Sequence, residues 1–176
     1  MQKKNNHNEL QWFVLTSKPR EEQRAFDNLS SQGYLVFLPK IAKIKKRQGS
    51  KVISQEPLFP NYLFIQLDQN EANFNAIRST RGVGAFVRFG MKQATISTHI
   101  IDKIKLDIEG EQQHKTLDDL VKFISGEQVE ITDGPFKGLQ AIYQAKDGFE
   151  RSILLVKMLG QENEIKIENK VIEKLS

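Results

Sequence analysis

The sequence predicts an α+β protein with three parts: an N-terminal domain in which helices pack on an antiparallel sheet, a flexible linker, and a small C-terminal domain. Over residues 9–108, short β-prone runs alternate with helical patterns, whereas residues 126–176 contain shorter alternating runs separated by turn signals. Residues 1–108 carry 17 Lys or Arg and 9 Asp or Glu, but residues 126–176 carry 7 and 9. Residues 109–125, which begin with a polar stretch, are assigned to the linker.

The N-terminal domain begins with an apolar, β-prone run at residues 11–16, which predicts a first strand that ends before Pro19. A helix over residues 20–32 follows, because Ala25 and Leu29 share a helical face. The remaining patterns predict a strand at 34–38, a basic hairpin at 40–51 with its tip near Gly49, a strand at 61–67, a helix at 70–78, a strand at 82–90 and a helix at 98–108.

The C-terminal domain leaves two conformations open. Turn signals at Asp133-Gly134-Pro135, Lys137-Gly138 and Asp147-Gly148 separate short alternating runs, a pattern typical of a small five-stranded β-barrel. Residues 152–159, Ser-Ile-Leu-Leu-Val-Lys-Met-Leu, are equally acceptable as a helix, because periodicity does not resolve short apolar runs.

Composition excludes several classes of function. No run approaches the 18 apolar residues of a transmembrane helix, and the polar start lacks the apolar core of a signal peptide, so we expect a cytoplasmic protein without a membrane partner. The absence of cysteine excludes disulfides, thiol catalysis and cysteine-bound metals. The histidines, His7, His99 and His114, are too widely spaced to predict a metal site. We expect a binding protein, without cofactor, metal or catalytic residues, rather than an enzyme.

Two motifs carry a resemblance to a known family. Glu56–Phe64, Glu-Pro-Leu-Phe-Pro-Asn-Tyr-Leu-Phe, is a proline-kinked aromatic segment that follows a strand containing Trp12 and a basic hairpin. It resembles the N-terminal domain of the NusG family of bacterial transcription elongation factors. Gly126–Gly138 resembles the KOW motif of the same family. The resemblance covers about residues 11–175 and implies a monomer that binds RNA polymerase during elongation.

Within the family, the sequence is similar to the specialised RfaH branch. Ser79–Val83 and Phe86–Gly90 follow the RfaH form, Glu56 directly precedes Pro-Leu-Phe-Pro, and the leucine-rich segment Arg151–Leu155 follows Asp147-Gly148. This similarity implies an operon-specific antitermination factor that suppresses pausing and termination. Two alternatives stay open: a general NusG-type elongation factor, and a KOW-containing protein that binds the ribosome or RNA.

The resemblance implies a binding site for a hairpin of the non-template single-stranded DNA. Arg20 and Arg24 share a helix face at positions i and i+4, and Asn28 stands where the RfaH pattern has a histidine, which leaves the exact DNA element open. From the residues alone, scattered solvated charge is an alternative. The predicted DNA-binding residues are Lys18, Arg20, Arg24, Asn28, Thr80 and Arg81.

A second implied site binds RNA polymerase. The residues that the resemblance assigns to a pocket for the polymerase clamp helices are Phe59, Pro60, Tyr62, Phe64, Phe89 and Ile104. Tyr62 and Phe64 share a strand face that is either core or an exposed aromatic patch. Asn73 and Asn75 take the place of an RfaH trio that touches the polymerase gate loop, with Phe74 between them as a possible core residue.

The resemblance finally implies contacts between the two domains. Glu56 and Arg151 match an interdomain salt bridge, and Leu155 and Leu159 belong to an apolar helical stripe. In the free protein the C-terminal domain is then an α-helical hairpin packed on the N-terminal domain. When released it is a five-stranded β-barrel that contacts a small-subunit ribosomal protein.

Overall fold

The computed structural model describes residues 9–112 and 137–175. The sheet strands are β1 (Leu10–Ser17), β2 (Leu35–Phe37), β5 (Tyr62–Asp68), β6 (Val83–Phe86) and β9 (Thr95–Ile96). Two hairpins are formed by β3 (Lys40–Arg47) with β4 (Ser50–Pro57) and by β7 (Arg88–Phe89) with β8 (Lys92–Gln93). The helices are α1 (Glu22–Ser31), α2 (Phe74–Arg78), α3 (Thr98–Gln112), α4 (Lys137–Gln144) and α5 (Gly148–Leu175).

Strand β1 lies at the centre of the antiparallel sheet. It pairs with β5 from Leu10 opposite Asp68 to Thr16 opposite Tyr62, and with β6 and β9 on its other side. The strand order is β2-β5-β1-β6, with β9 pairing β1 near Trp12. The predicted antiparallel sheet of the N-terminal domain is therefore confirmed.

Both faces of β1 are buried, and each face belongs to a different apolar cluster. Phe13 and Leu15 pack in one cluster with Ala25 and Leu29 of α1, which confirms the predicted helix face. Trp12 and Val14 alternate with them and point into the other cluster. The members of this second cluster from the helices are Ile100, Ile101 and Ile104 of α3, Leu139 and Ile142 of α4, and Leu155, Met158 and Leu159 of α5.

The basic hairpin has the predicted tip. Its register runs from Lys40 opposite Pro57 to Arg47 opposite Ser50, which leaves a two-residue loop. Both loop residues have positive φ, 49° at Gln48 and 82° at Gly49, as a tight hairpin turn requires.

Four predicted elements have clearly different bounds in the structure. The hairpin expected at 40–51 continues to Pro57. The helix expected at 70–78 begins only at Phe74, because the side chain of Asn73 accepts a hydrogen bond from the Ala76 amide at 3.0 Å and acts as the N-cap. The strand expected at 82–90 is split at Val87, where the chain leaves β6 for the β7–β8 hairpin. Helix α3 continues past the predicted 108 to Gln112.

Residues 152–159 lie within helix α5, so the structure has the helical alternative at this segment. All but the last two residues of the KOW-like segment 126–138, and most of the predicted linker, lie outside the described residues. The domain boundaries and the form of the C-terminal domain as a whole therefore stay predictions. In the described ranges, no helix is long and apolar enough to span a membrane.

Gly82 holds the loop before β6 against α1. Its φ is +90°, and an added Cβ would lie 2.6 Å from the amide nitrogen of Ala25. We expect Gly82→Ala to destabilise the protein by the left-handed strain of about 1–2 kcal/mol and by a further ~1–3 kcal/mol of overpacking. Gly49→Ala is the matched control, since Gly49 has φ +82° and open space around it. Equal losses of melting temperature in the two variants would contradict the close approach.

Candidate functional site

Exposed basic side chains meet at one end of the sheet. Lys18 and Arg20 lie in the loop between β1 and α1, and Arg24 lies on the first turns of α1. Arg20 has φ 61°, so the turn itself sits in the left-handed region. Arg24 forms an ion pair with Glu21 at 3.1 Å, and its side chain remains 54% exposed. Lys18, Arg20, Arg24 and Arg81 are together called the basic face.

The loop before β6 is fastened to α1 by hydrogen bonds and brings Arg81 to the basic face. Asn28 Nδ2 donates to the Arg81 carbonyl oxygen at 3.0 Å, and the Lys18 amide donates to the Gly82 carbonyl at 2.8 Å. The structure therefore brings together the six residues that the sequence assigned to DNA, although they are up to 63 positions apart.

Two of the six predicted DNA-binding residues, Thr80 and Asn28, form hydrogen bonds within the protein. Thr80 is only 9% exposed, and its hydroxyl donates to the Ala76 carbonyl at 3.2 Å while accepting from Gln32 Nε2 at 3.1 Å. The Asn28 amide is committed to Arg81. These two residues position the loop, whereas Lys18, Arg20, Arg24 and Arg81 are exposed. Sequence reasoning missed Gln32, because a polar residue at a helix end carries no signal of a contact 48 positions away.

The residues assigned to the polymerase lie mostly inside the second apolar cluster. Phe59, Phe64 and Ile104 are 0% exposed, and Pro60, Tyr62 and Phe89 are half-buried. The Phe59 and Phe64 rings meet edge to face, with centroids 6.0 Å apart. Of the two alternatives for Phe64, the structure has the core position.

Helix α5 covers the segment Leu58–Asn61, which is called the proline segment. Arg151 Nε donates to the Leu58 carbonyl oxygen at 2.7 Å, and Ser152 Oγ donates to the Pro60 carbonyl oxygen at 3.0 Å. The helix begins at Gly148, where an added Cβ would lie 2.6 Å from Pro60 Cγ. The absence of a side chain at this glycine thus permits the close contact.

The other side of the proline segment is bound to the end of β1 and the first turn of α1, next to the basic face. Glu22 Oε1 accepts a hydrogen bond from the Asn61 amide at 2.9 Å, and the Ser17 amide donates to the Asn61 carbonyl at 2.8 Å. Asn61 has φ 70°, a conformation that asparagine tolerates better than most residues. Glu22, which is 9% exposed, was not identified from the sequence, since its role depends on a turn 39 residues away.

Glu56 pairs with lysines of its own hairpin. Its carboxylate lies 2.8 Å from Lys45 Nζ and 3.3 Å from Lys43 Nζ. The hydrogen bond from Lys45 is the main cause that lowers the pKa of Glu56 below its ordinary value; burial opposes the shift and Lys43 adds to it. Arg151, the partner expected across the domain interface, is 8% exposed and donates to the Leu58 carbonyl. The Glu56–Arg151 pair stays a prediction.

The segment around α2 has a capping residue, a core residue and a surface amide. Asn73 caps the helix, and Asn75 Oδ1 accepts a hydrogen bond from Arg78 at 3.3 Å; both asparagines are exposed. Phe74 packs edge to face on Phe13 and Phe86, with centroid distances of 5.5 and 5.1 Å. Phe74 is therefore a core residue, and a gate-loop contact of the two asparagines stays a prediction.

Within the two described ranges, no group of three or more His, Cys, Asp or Glu side chains is arranged to hold a metal ion. His99 is exposed on the first turn of α3.

A family model described as "Transcription termination factor nusG" matches residues 10–105, which is more than half of the chain. The chain belongs to the NusG family. The matched NusG range contains the basic face, the proline segment and the part of the second apolar cluster contributed by the sheet and most of α3.

Relatives with the name "Transcription termination/antitermination protein NusG" are similar to this chain over most of its length. The protein from Thermus thermophilus is 29% identical over 144 residues, which cover 72% of this chain and 77% of that protein. The protein from Campylobacter jejuni is 25% identical over 174 residues, or 93% and 97% of the two chains. A solved structure, "Domain interaction in Thermotoga maritima NusG", aligns over 60% of each chain at 23% identity with a TM-score of 0.39.

The pKa of Glu56 distinguishes a hairpin ion pair from an interdomain one. We expect a carboxyl titration followed by NMR to give a pKa below 4.5, and Lys45→Ala to raise it more than Lys43→Ala does. Arg151→Ala should raise it less than Lys45→Ala does, because the hydrogen bond from Lys45 is the largest cause of the shift. Because the folded pKa is lowered, the pairs stabilise the fold above the ordinary carboxyl pKa, and this contribution is lost as pH falls through the folded value. A larger rise of the Glu56 pKa in Arg151→Ala than in Lys45→Ala would show that the interdomain pair dominates.

Proposed function

We propose that the protein is an operon-specific transcription elongation and antitermination factor of the RfaH type. In this proposal it binds RNA polymerase and the non-template DNA strand, and suppresses pausing and termination. The observation that carries the proposal is the packing of α4 and α5 over the proline segment and the second apolar cluster. A C-terminal segment that covers the residues assigned to the polymerase is what a factor restricted to a few operons requires.

The DNA contact is proposed for the basic face. Lys18, Arg20 and Arg81 are exposed cations on neighbouring segments, and such side chains bind phosphates and base edges. Hydrogen bonds from Asn28 and Gln32 hold the loop that carries Arg81, which limits the entropy lost on binding. Asn28 then contributes through the loop rather than by stacking on a base.

The polymerase contact is proposed for the sheet and α3 residues of the second apolar cluster, after α4 and α5 have moved away. Leu139, Ile142, Leu155 and Leu159 are each 0–1% exposed in the present packing. Their departure would expose an apolar surface around Phe59 and Ile104, the kind of surface that partner proteins bind. The polymerase and the helices therefore compete for one site.

The released C-terminal domain is proposed to refold as a five-stranded β-barrel that contacts a small-subunit ribosomal protein. The sequence Glu164-Ile-Lys-Ile-Glu168 alternates as in a strand. Gly134 and Pro135 before α4, and Gly138 in its first turn, are residues that disfavour a helix. The buried leucines of α5 favour the helical packing instead. Two packings a few kcal/mol apart are the requirement for such a switch.

The alternative function is a general NusG-type elongation factor. Genome-wide chromatin occupancy distinguishes it from an operon-specific factor. Chromatin occupancy of the tagged protein should show binding at a few long operons. Occupancy of most transcribed genes would overturn the specialist assignment and leave the general one. A ribosome- or RNA-binding KOW protein would fail to capture RNA polymerase at all.

Removing charge from the basic face should weaken binding to single-stranded DNA. For the variant Lys18→Ala/Arg24→Ala/Arg81→Ala, we expect a loss of about 1–3 kcal/mol for each base-edge contact and less for each phosphate contact. The matched control is Lys46→Ala/Arg47→Ala/Lys51→Ala, which removes the same charge from the hairpin tip. Fluorescence anisotropy with a labelled oligonucleotide measures both. Equal losses would show that general charge, rather than this face, binds the DNA.

Loosening α5 should expose the polymerase site. Leu155→Ala/Leu159→Ala removes two fully buried side chains, at ~2–5 kcal/mol each, while alanine preserves helix propensity. We expect the variant to capture more RNA polymerase in a pull-down than the wild type. Leu106→Ala on α3, where Leu106 is 64% exposed, is the control and should change nothing. Unchanged capture by the double variant would contradict the covering role.

Refolding should be visible by far-UV circular dichroism. We expect the isolated fragment 118–176 to have a β-rich spectrum, so that the spectra of fragments 1–108 and 118–176 do not sum to that of the intact chain. The helical signal contributed by α4 and α5 should be present in the intact chain alone. Additive spectra would show that the C-terminal domain keeps one conformation.

A further inference from the structure

A cleft of about 530 Å³ lies between the N-terminal domain and α5, beside the proline segment. Asn61 and Tyr62 line one wall, and Phe149, Ile153 and Lys157 of α5 line the other. The volume falls within the range of ordinary ligand sites, about 300–1,000 Å³. The cleft is open, so a ligand can enter it without a conformational change.

The α5 wall combines an exposed aromatic ring with a cation. Phe149 is 76% exposed and Ile153 is 40% exposed, although both are large apolar side chains. Lys157 lies two helical turns further along, on the same wall. An aromatic platform beside a positive charge is the arrangement by which proteins bind unpaired bases of single-stranded nucleic acid.

The cleft adjoins the end of β1, which leads into Lys18 of the basic face. The Ser17 amide donates to the Asn61 carbonyl at 2.8 Å, so the wall of the cleft and the end of β1 are directly bonded. Lys18 follows Ser17, and the cleft wall includes Thr16, two residues before Lys18 and therefore about 7 Å along the strand. A single strand bound to the basic face therefore reaches the cleft within a few nucleotides.

We propose that the cleft binds one unpaired nucleotide of the single-stranded DNA that lies on the basic face. This inference rests on the proposed DNA function and extends it to the C-terminal segment. The base stacks on Phe149 beside Tyr62, and Lys157 contacts a phosphate. The side-chain amide of Asn61 offers a donor and an acceptor to the base edge.

This assignment gives DNA a second effect. Because α5 supplies one wall, the complete cleft exists only while α5 is docked. By linkage, a strand in the cleft stabilises the docked helix, whereas the polymerase, which competes with the helix, removes it. The two ligands of the protein therefore act on α5 in opposite directions.

The test uses the intact chain and a labelled single-stranded DNA oligonucleotide with a duplex of the same sequence. We expect Phe149→Ala to weaken binding of the single strand by about 5- to 100-fold and to leave binding of the duplex unchanged. Lys157→Ala should reduce the slope of log affinity against log salt concentration by about 0.7. Phe149→Trp should keep full affinity, and Met91→Ala, at a residue 90% exposed on the β7–β8 turn, is the control.

A double-mutant cycle tests the dependence on docking. Once Leu155→Ala/Leu159→Ala has loosened α5, adding Phe149→Ala should have no further effect on affinity. Single-strand affinity that is unchanged in Phe149→Ala, while Lys18→Ala/Arg24→Ala/Arg81→Ala still loses it, would overturn the cleft and leave the proposed function intact. Equal losses on single strand and duplex would also overturn it. Failure of the wild type to bind any single strand would instead overturn the DNA function itself.

Discussion

The double anchoring of the proline segment is the constraint on which the two candidate surfaces depend. Glu22 of α1 and Ser17 of β1, which adjoin the basic face, bind Asn61. Arg151 and Ser152 of α5 bind the Leu58 and Pro60 carbonyls. A guanidinium that is 8% exposed is tolerated only when it is paired, so Arg151 ties the position of α5 to this backbone. Movement of the segment therefore affects both surfaces.

In the proposed function, the same side chains of the second apolar cluster contact either α4 and α5 or RNA polymerase. Its members from the sheet and α3 are packed against α4 and α5, and burial of that area favours the docked state. The polar anchors add specificity more than energy, because they fix where α5 begins and which carbonyls it covers. A surface built in this way is protected until a partner binds it better than the helices do.

Charge is distributed so that the basic face stays accessible. Lys43 and Lys45 are partly neutralised by Glu56 within the hairpin, and Arg24 is paired with Glu21. Lys18, Arg20 and Arg81 lie outside these pairs and are exposed. Surface ion pairs contribute little stability, about 0–1 kcal/mol each, so their main effect here is on where the positive field is strongest.

The sequence by itself determined the α+β N-terminal domain, the order of most of its elements and the family, because apolar periodicity and turn residues act locally. It did not predict the β7–β8 hairpin or β9. Asn73 made the helix predicted from residue 70 begin only at Phe74, through a side-chain contact that periodicity does not reveal. Only the tertiary structure decided that Phe64 and Ile104 are buried, that Thr80 and Asn28 position a loop, and that Glu22 holds Asn61. It also selected the helix over the strand at residues 152–159, because burial of Leu155 and Leu159 against a distant sheet outweighs a local preference that is nearly balanced.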